Sequence, residues 1–132
     1  MNVLLVGVGR NLNRAIRTCY SFGVECIYLL DCDEAKIKGN LYSAKERVPI
    51  IKVDSIENLG NVVAFEVDGN APISELKTAD CIAIGGESTT LSKVMFKTRI
   101  GIPTKNKLCL TTEAALAIAL YAYTTEVENE DR

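Results

Sequence analysis

The sequence has no histidine and no tryptophan, and only three prolines and two methionines in 132 residues. Without histidine there can be no Ser-His-Asp or Cys-His nucleophilic apparatus and no histidine acid–base relay. A zinc site is disfavoured as well, because the five cysteines (Cys19, Cys26, Cys32, Cys81, Cys109) include no CxxC pair. Their odd number and apolar surroundings predict buried free thiols, and no metal site is expected. The apolar run Val3–Val6 is too short for a signal peptide and has no basic n-region before it. The expected location is therefore the cytoplasm, with no membrane partner. Net charge is −2 and the pI is near 5.2, so nothing global advertises nucleic-acid binding. Local basic groups exist nonetheless, at Arg10, Arg14 and Arg17 and again at Lys93, Lys97, Arg99, Lys105 and Lys107. The tail Glu126–Arg132 holds most of the late acidic charge and reads as a solvated end, which leaves the basic regions more positive than the total.

The composition itself, 48% hydrophobic and 24% charged, is ordinary for a globular chain. A chain of this size buries roughly two-thirds of its unfolded surface, and one domain spanning residues 1–132 is expected. No internal repeat or low-complexity tract interrupts it.

Asn2–Val8 is a nearly continuous apolar run closed by Gly7 and Gly9, as in a parallel strand buried on both faces. Asn11 is a candidate cap for a helix over Leu12–Phe22 that stops at Gly23. Val24–Leu30 reads as a second buried strand, followed by a polar stretch with a weak helical segment at Leu41–Arg47. Further strands are expected at Ile50–Val53, Val62–Val67, Cys81–Ile84 and Arg99–Ile102. Single turns or short helices are expected at Ser55–Leu59, Ser74–Ala79 and Thr90–Phe96, with a turn at Asp68-Gly69-Asn70. Strands alternating with helices through short links indicate a mostly parallel α/β sheet with flanking helices.

The last helix is the most distinctive element. Thr111 and Thr112 are its N-cap candidates, Glu113 suits its N-terminus, and every residue from Ala114 to Ala122 is apolar or tyrosine. A helix without a polar face is buried on all sides in a soluble protein. It is too short to span a bilayer, which takes about 20 residues. In so small a chain, covering both sides of a terminal helix calls for a second subunit.

Gly7-Val8-Gly9 after a strand, with Asp31 closing the next strand, outlines a dinucleotide-binding βαβ unit. The third glycine of that fingerprint is Leu12 here, and Arg10, Arg14 and Arg17 crowd the helix start.

Three segments in order resemble the SPOUT superfamily, and within it the SpoU (TrmH-like) RNA ribose 2′-O-methyltransferases. The first runs from Asn11-Leu12-Asn13-Arg14-Ala15-Ile16-Arg17-Thr18 to Phe22-Gly23-Val24 and is similar to an Asn-x-Gly-x-x-x-Arg motif ending in Phe-Gly. Ile82-Ala83-Ile84-Gly85-Gly86-Glu87 with Leu91-Ser92 resembles a Gly-x-Glu-Gly-x-Gly loop. Ile102-Pro103 with Leu108-Cys109-Leu110-Thr111 and the alanine-rich helix resembles Ile-Pro-Met … Leu-Asn-Val-Ser-x-Ala. Ser43-Ala44 and Val63-Ala64-Phe65-Glu66 also fall where the family has similar strings.

The resemblance implies an α/β sheet whose C-terminal part threads a trefoil knot, an exception to the rule against knotted chains. It implies S-adenosylmethionine held bent in the knot, largely by loop backbone, and a homodimer packed through the first and last helices. It implies RNA, tRNA or rRNA, as the substrate. By position, Arg17 takes the place of the catalytic arginine, Asn11 of the substrate-side asparagine and Glu87 of the motif-two glutamate. Gly85, Ile102 and Leu108 fall where backbone groups hold the adenosine, and Thr111 replaces the motif-three serine. Because a guanidinium keeps its proton in proteins, the expected role of Arg17 is to grip phosphate, orient the 2′-hydroxyl and stabilise the developing alkoxide. The sequence departs from the pattern at Asn13, Ser88, Thr90, Thr104 and Cys109. These departures define an alternative, a catalytically inactive knotted dimer that binds cofactor or RNA without transferring methyl.

Overall fold

A computed structural model describes residues 1–37, 47–86, 90–106 and 110–127. The helical segment expected at Leu41–Arg47, with Ser43-Ala44, lies almost wholly outside them, as do Glu87, Ser88, Leu108, Cys109 and the tail from residue 128.

In chain order the elements are β1 (Asn2–Val6), α1 (Leu12–Ser21), β2 (Cys26–Leu30), β3 (Ile50–Lys52), β4 (Val62–Glu66), β5 (Cys81–Gly85), α2 (Thr90–Lys93), β6 (Thr98–Gly101) and α3 (Thr112–Glu126). Short 3-10 turns cover Glu34–Lys36 and Ile73–Thr78, the second replacing the expected helix at Ser74–Ala79. All six strands join one parallel sheet in the order β3-β2-β1-β5-β4-β6.

The apolar runs are explained by burial on both faces. Val3, Leu5, Ile27, Leu29, Val63, Phe65, Ile82 and Ile84 point to one side, where Leu12, Ile16, Leu116 and Leu120 of α1 and α3 cover them. Their neighbours Leu4, Val6, Val62, Ala64, Cys81 and Ala83 point to the other side, under Leu59 and Leu91. A period of two with both phases apolar reads as an unbroken hydrophobic string.

The helix ends show where local signals decided the structure. Helix α1 closes as expected at Gly23 (φ 76°): Gly23 N–H donates to Tyr20 O at 3.0 Å and Val24 N–H to Cys19 O at 3.0 Å. These are the paired bonds of a Schellman ending. Its start corrects the expectation, because Asn11 makes no side-chain capping bond and its backbone sits at φ −99°, ψ 13°. That conformation is outside the extended region from which a cap side chain reaches the first-turn amides. Thr111, by contrast, is extended, and its Oγ1 accepts from Ala114 N–H at 3.2 Å. Past Ala122 the helix runs on through Thr124 and Thr125, whose hydroxyls bond back to Leu120 O at 3.0 Å and Tyr121 O at 3.2 Å.

Within one chain α3 is not buried all round. Leu116, Ala119 and Leu120 are buried, whereas Ile118 is 43% and Tyr121 64% exposed. Residues 87–89 and 107–109, in the part of the chain where the trefoil knot is expected, lie outside the described residues. Among the described residues no helix is long and apolar enough to cross a membrane.

Candidate functional site

In an open parallel sheet, ligands bind beyond the carboxyl ends of the strands, by default where connections leave in opposite directions. Here that point lies between β1, which leads to β2, and β5, which leads to β6 across the sheet. The crevice there is filled. Gly86 N–H donates to Val6 O at 3.0 Å, and a Cβ built on Gly86 would lie 2.5 Å from both Gly7 O and Val8 Cα. The backbone after β5 thus lies directly on Gly7-Val8, the segment that a dinucleotide would need.

The open space lies one strand further over. A cavity of about 310 Å³ sits at the carboxyl ends of β4, β5 and β6. Phe65, Ile84, Leu91, Leu110 and Ala115 make it apolar, Gly85, Gly86 and Ile102 bring backbone to it, and Glu66, Asp68 and Ser92 supply polar atoms. A second hollow of about 450 Å³, beyond β2 and β3, is lined by Asp31, Asp33, Asp54 and Lys52 together with Leu30, Cys32 and Val53, and is more polar than the first. Small-molecule sites are mostly apolar with a few convergent polar groups, which selects the first cavity.

Its walls are firmly built. The buried hydroxyl of Thr112 donates to Gly85 O at 2.9 Å, pinning the start of α3 to the end of β5. Ile102 N–H and Gly69 N–H both donate to Glu66 O at 3.2 Å. Gly69 and Gly101 pack backbone to backbone, leaving no space for a side chain between β6 and the turn after β4. Arg99, expected within a basic surface cluster, instead lies half-buried with its Nη1 2.6 Å from Glu66 Oε2.

Among the residues expected at a site, Gly85 and Ile102 both line this cavity. Thr111 caps α3 beside it, while the adjacent Thr112 holds Gly85. Arg17 and Asn11 are not in its lining: Arg17 lies on the exposed side of α1 and Asn11 is half-buried before that helix. Arg14, one turn from Arg17, reaches Glu113 of α3 at 3.9 Å, so the basic ridge of α1 runs beside the start of the last helix. Asn13 Nδ2 donates to Lys36 O at 2.9 Å, tying α1 to the turn after β2. Glu87 and Leu108 lie outside the described residues.

Sequence reasoning missed Glu66, Asp68, Leu91, Ser92, Leu110 and Ala115 as lining residues. The string Val63-Ala64-Phe65-Glu66 was the available signal for the first of them.

As expected, Cys19, Cys32 and Cys81 are buried free thiols, and Cys26 is a free thiol half-buried. Burial pushes the Cys81 thiol up to about 12 and raises that of Cys19 further. Such thiols are inert packing groups. Among the described residues no cluster of His, Cys, Asp or Glu could hold a metal.

Fold and cavity together define a parallel α/β protein whose main apolar cavity among the described residues lies off the sheet's central switch point. No family model and no curated protein matches the chain. Solved structures do. The chain resembles a TrmH/SpoU tRNA modifying enzyme from A. aeolicus with a TM-score of 0.79 at 21% identity, covering 98% of this chain and 76% of that one. It resembles the SpoU methyltransferase AviRb from Streptomyces viridochromogenes, solved in complex with AdoMet, with a TM-score of 0.76 at 14% identity, covering 96% of this chain and 57% of that one. A structure concerned with 2-OH methylation of C/U34 on tRNA matches with a TM-score of 0.69 at 17% identity, covering 95% of this chain and 89% of that one. The chain has the fold of these SpoU/TrmH structures, and it spans little more than half the length of AviRb.

Proposed function

We propose that this protein is an S-adenosylmethionine-dependent RNA ribose 2′-O-methyltransferase, acting on tRNA or rRNA as a homodimer of single SPOUT-type knotted domains. The observation that carries the reading is the cavity lined by Gly85 and Ile102, in a fold shared along nearly the whole chain with a solved RNA 2′-O ribose methyltransferase.

The lining suits the cofactor. Its volume is at the lower end of the roughly 300–1,000 Å³ of small-molecule sites. Phe65, Ile84, Leu91, Leu110 and Ala115 offer an apolar slot for a base, and backbone at Gly85, Gly86 and Ile102 offers hydrogen-bonding edges. The carboxylate of Asp68 suits a cationic ligand, that of Glu66 being paired with Arg99. Bound there, S-adenosylmethionine supplies an electrophilic methyl group. The chain's own contribution is placement of the nucleotide, and positioning is a large share of any such rate gain. Arg17 holds the nucleotide's phosphate and orients the 2′-hydroxyl, and Asn11 assists on the substrate side. Glu87 and Leu108 complete the site on the catalytic and cofactor sides.

Because Arg17 and Asn11 do not line the cavity of their own chain, the dimer is part of the proposal. The exposed Ile118 and Tyr121 give α3 an apolar outer face that a second α3 and α1 would cover.

Isothermal titration with S-adenosylmethionine and with NAD tests the reading. Binding of the first and not the second supports it; binding of NAD alone, or of neither, overturns it.

A further inference from the structure

We propose that Arg99 is a positioning residue that ties Glu66 in the cavity's wall to the segment following Leu91 and Ser92, and so sets affinity for the ligand. The inference rests on the reading of that cavity as the S-adenosylmethionine site.

Arg99 lies on β6, and its register partner on β4 is the fully buried Ala64. Only a methyl group stands at that position, so the long arginine stem can lie across it toward the end of β4. There the guanidinium makes three attachments. Nη1 lies 2.6 Å from Glu66 Oε2, Nη2 donates to Val94 O, and the group sits 5.0 Å from the centre of the Phe96 ring. The arginine and glutamate side chains are 25% and 19% exposed, so the pair is largely withdrawn from solvent screening.

The attachments join separate pieces of the site. Glu66 begins the wall Glu66-Val67-Asp68, whereas Val94 and Phe96 follow the segment that supplies Leu91 and Ser92 to the cavity. Leu91, Val94 and Phe96 pack together on the second face of the sheet, under the same core as Ala64. A planar guanidinium suits this work, since its fork bonds carboxylate and carbonyl at once while its face rests on an aromatic ring. A lysine at position 99 could keep one of the three contacts.

The test is a double-mutant cycle with Arg99→Met, Glu66→Gln and the two combined, in the full chain. Affinity for S-adenosylmethionine is read by titration, and backbone exchange at residues 66–68 and 94–96 by deuterium mass spectrometry. Each single substitution should weaken binding about tenfold, and the double no more than either single, as expected for two residues acting as one contact. Exchange at both segments should quicken in Arg99→Met. Folded variants with wild-type affinity, or singles whose losses simply add, would overturn the proposal. Glu66→Gln is nearly isosteric and keeps the test open if Arg99→Met does not fold. Should the wild type bind no S-adenosylmethionine, the cofactor reading falls, and unchanged exchange at 94–96 in Arg99→Met would separately sink the tie.

Discussion

Replacing Gly86 by alanine tests the packing that fills the crevice at the sheet's centre and leaves the cavity to one side. The added methyl carbon would lie 2.5 Å from Gly7 O, 2.5 Å from Val8 Cα and 2.9 Å from Val8 N. Carbon contacts are comfortable near 3.5–4.0 Å, so the chains must separate by roughly 1 Å. No flexible side chain can yield, because all three neighbours are backbone. That backbone is held by the Val6–Gly85 register and by the bond from Gly86 N–H to Val6 O. Overpacking typically costs 1–3 kcal/mol, and a rigid clash of this kind belongs at the top, about 3 kcal/mol. At about 2.1 cal/mol/K per residue over 132 residues, the melting temperature falls by about 10 °C. Gly23→Ala is the control. Nothing lies within 4 Å of a Cβ there, and only its φ of 76° is unfavourable, a cost of about 1 kcal/mol. Urea unfolding measures both. A Gly86→Ala loss no larger than that of Gly23→Ala would mean the β1–β5 crevice can open, and the steric case against a dinucleotide there would collapse.

Other consequences can be checked more briefly. Tyr121→Glu on the exposed side of α3 should leave monomer stability within about 0.5 kcal/mol yet convert a dimer to a monomer by light scattering, and an unchanged dimer would place the interface elsewhere. Thr112→Val removes the donor to Gly85 O at a site 5% exposed and should cost about 1–3 kcal/mol by denaturant unfolding, together with weaker cofactor binding. Thr104 Oγ1 is buried without a hydrogen-bond partner among the described residues, so Thr104→Val should be neutral or stabilising by about 1 kcal/mol, and a loss above 1 kcal/mol would show that the hydroxyl has a partner. The Cys81 thiol rises from 9.0 to about 12 on folding, so the folded state holds a proton that the unfolded chain releases. Its contribution is fully present below pH 9 and is lost as pH climbs toward 12, and Cys19 adds in the same direction. Unfolding free energies measured from pH 8 to 11 should therefore decline, and less steeply in Cys81→Ala.

Much of this fold could be read directly, because burial on both faces writes the strands as apolar runs and Gly23 ends α1 by a stereochemical rule. Strand order could not. Nothing within Cys81–Gly85 says that it inserts between β1 and β4, since alternation reports burial and not neighbours. Asn11 had a cap's identity but not its backbone conformation, which the turn after Gly9 decided. The helix Ala114–Ala122 looked uniformly buried because its residue types carry no face, whereas packing on α1 and the sheet covers one side only. In the cavity's lining, Gly85 and Ile102 are the two residues that motif resemblance had singled out. Glu66, Leu91, Leu110 and Ala115 come from different elements and meet only in the folded chain, so no spacing announces them. Arg99 looked like one more surface cation, and only its half-burial against Glu66 shows otherwise.

The most direct measurement is methyl transfer from labelled S-adenosylmethionine to total RNA, with modified nucleosides identified by mass spectrometry and Arg17→Ala run in parallel. Wild-type protein should yield 2′-O-methylated nucleosides, and Arg17→Ala should lower the rate about 100-fold or more, as loss of a group that stabilises a developing oxyanion does. Cofactor binding without transfer to any RNA pool would contradict the enzyme and leave a cofactor-binding knotted dimer, and an unchanged rate in Arg17→Ala would remove that arginine from the mechanism.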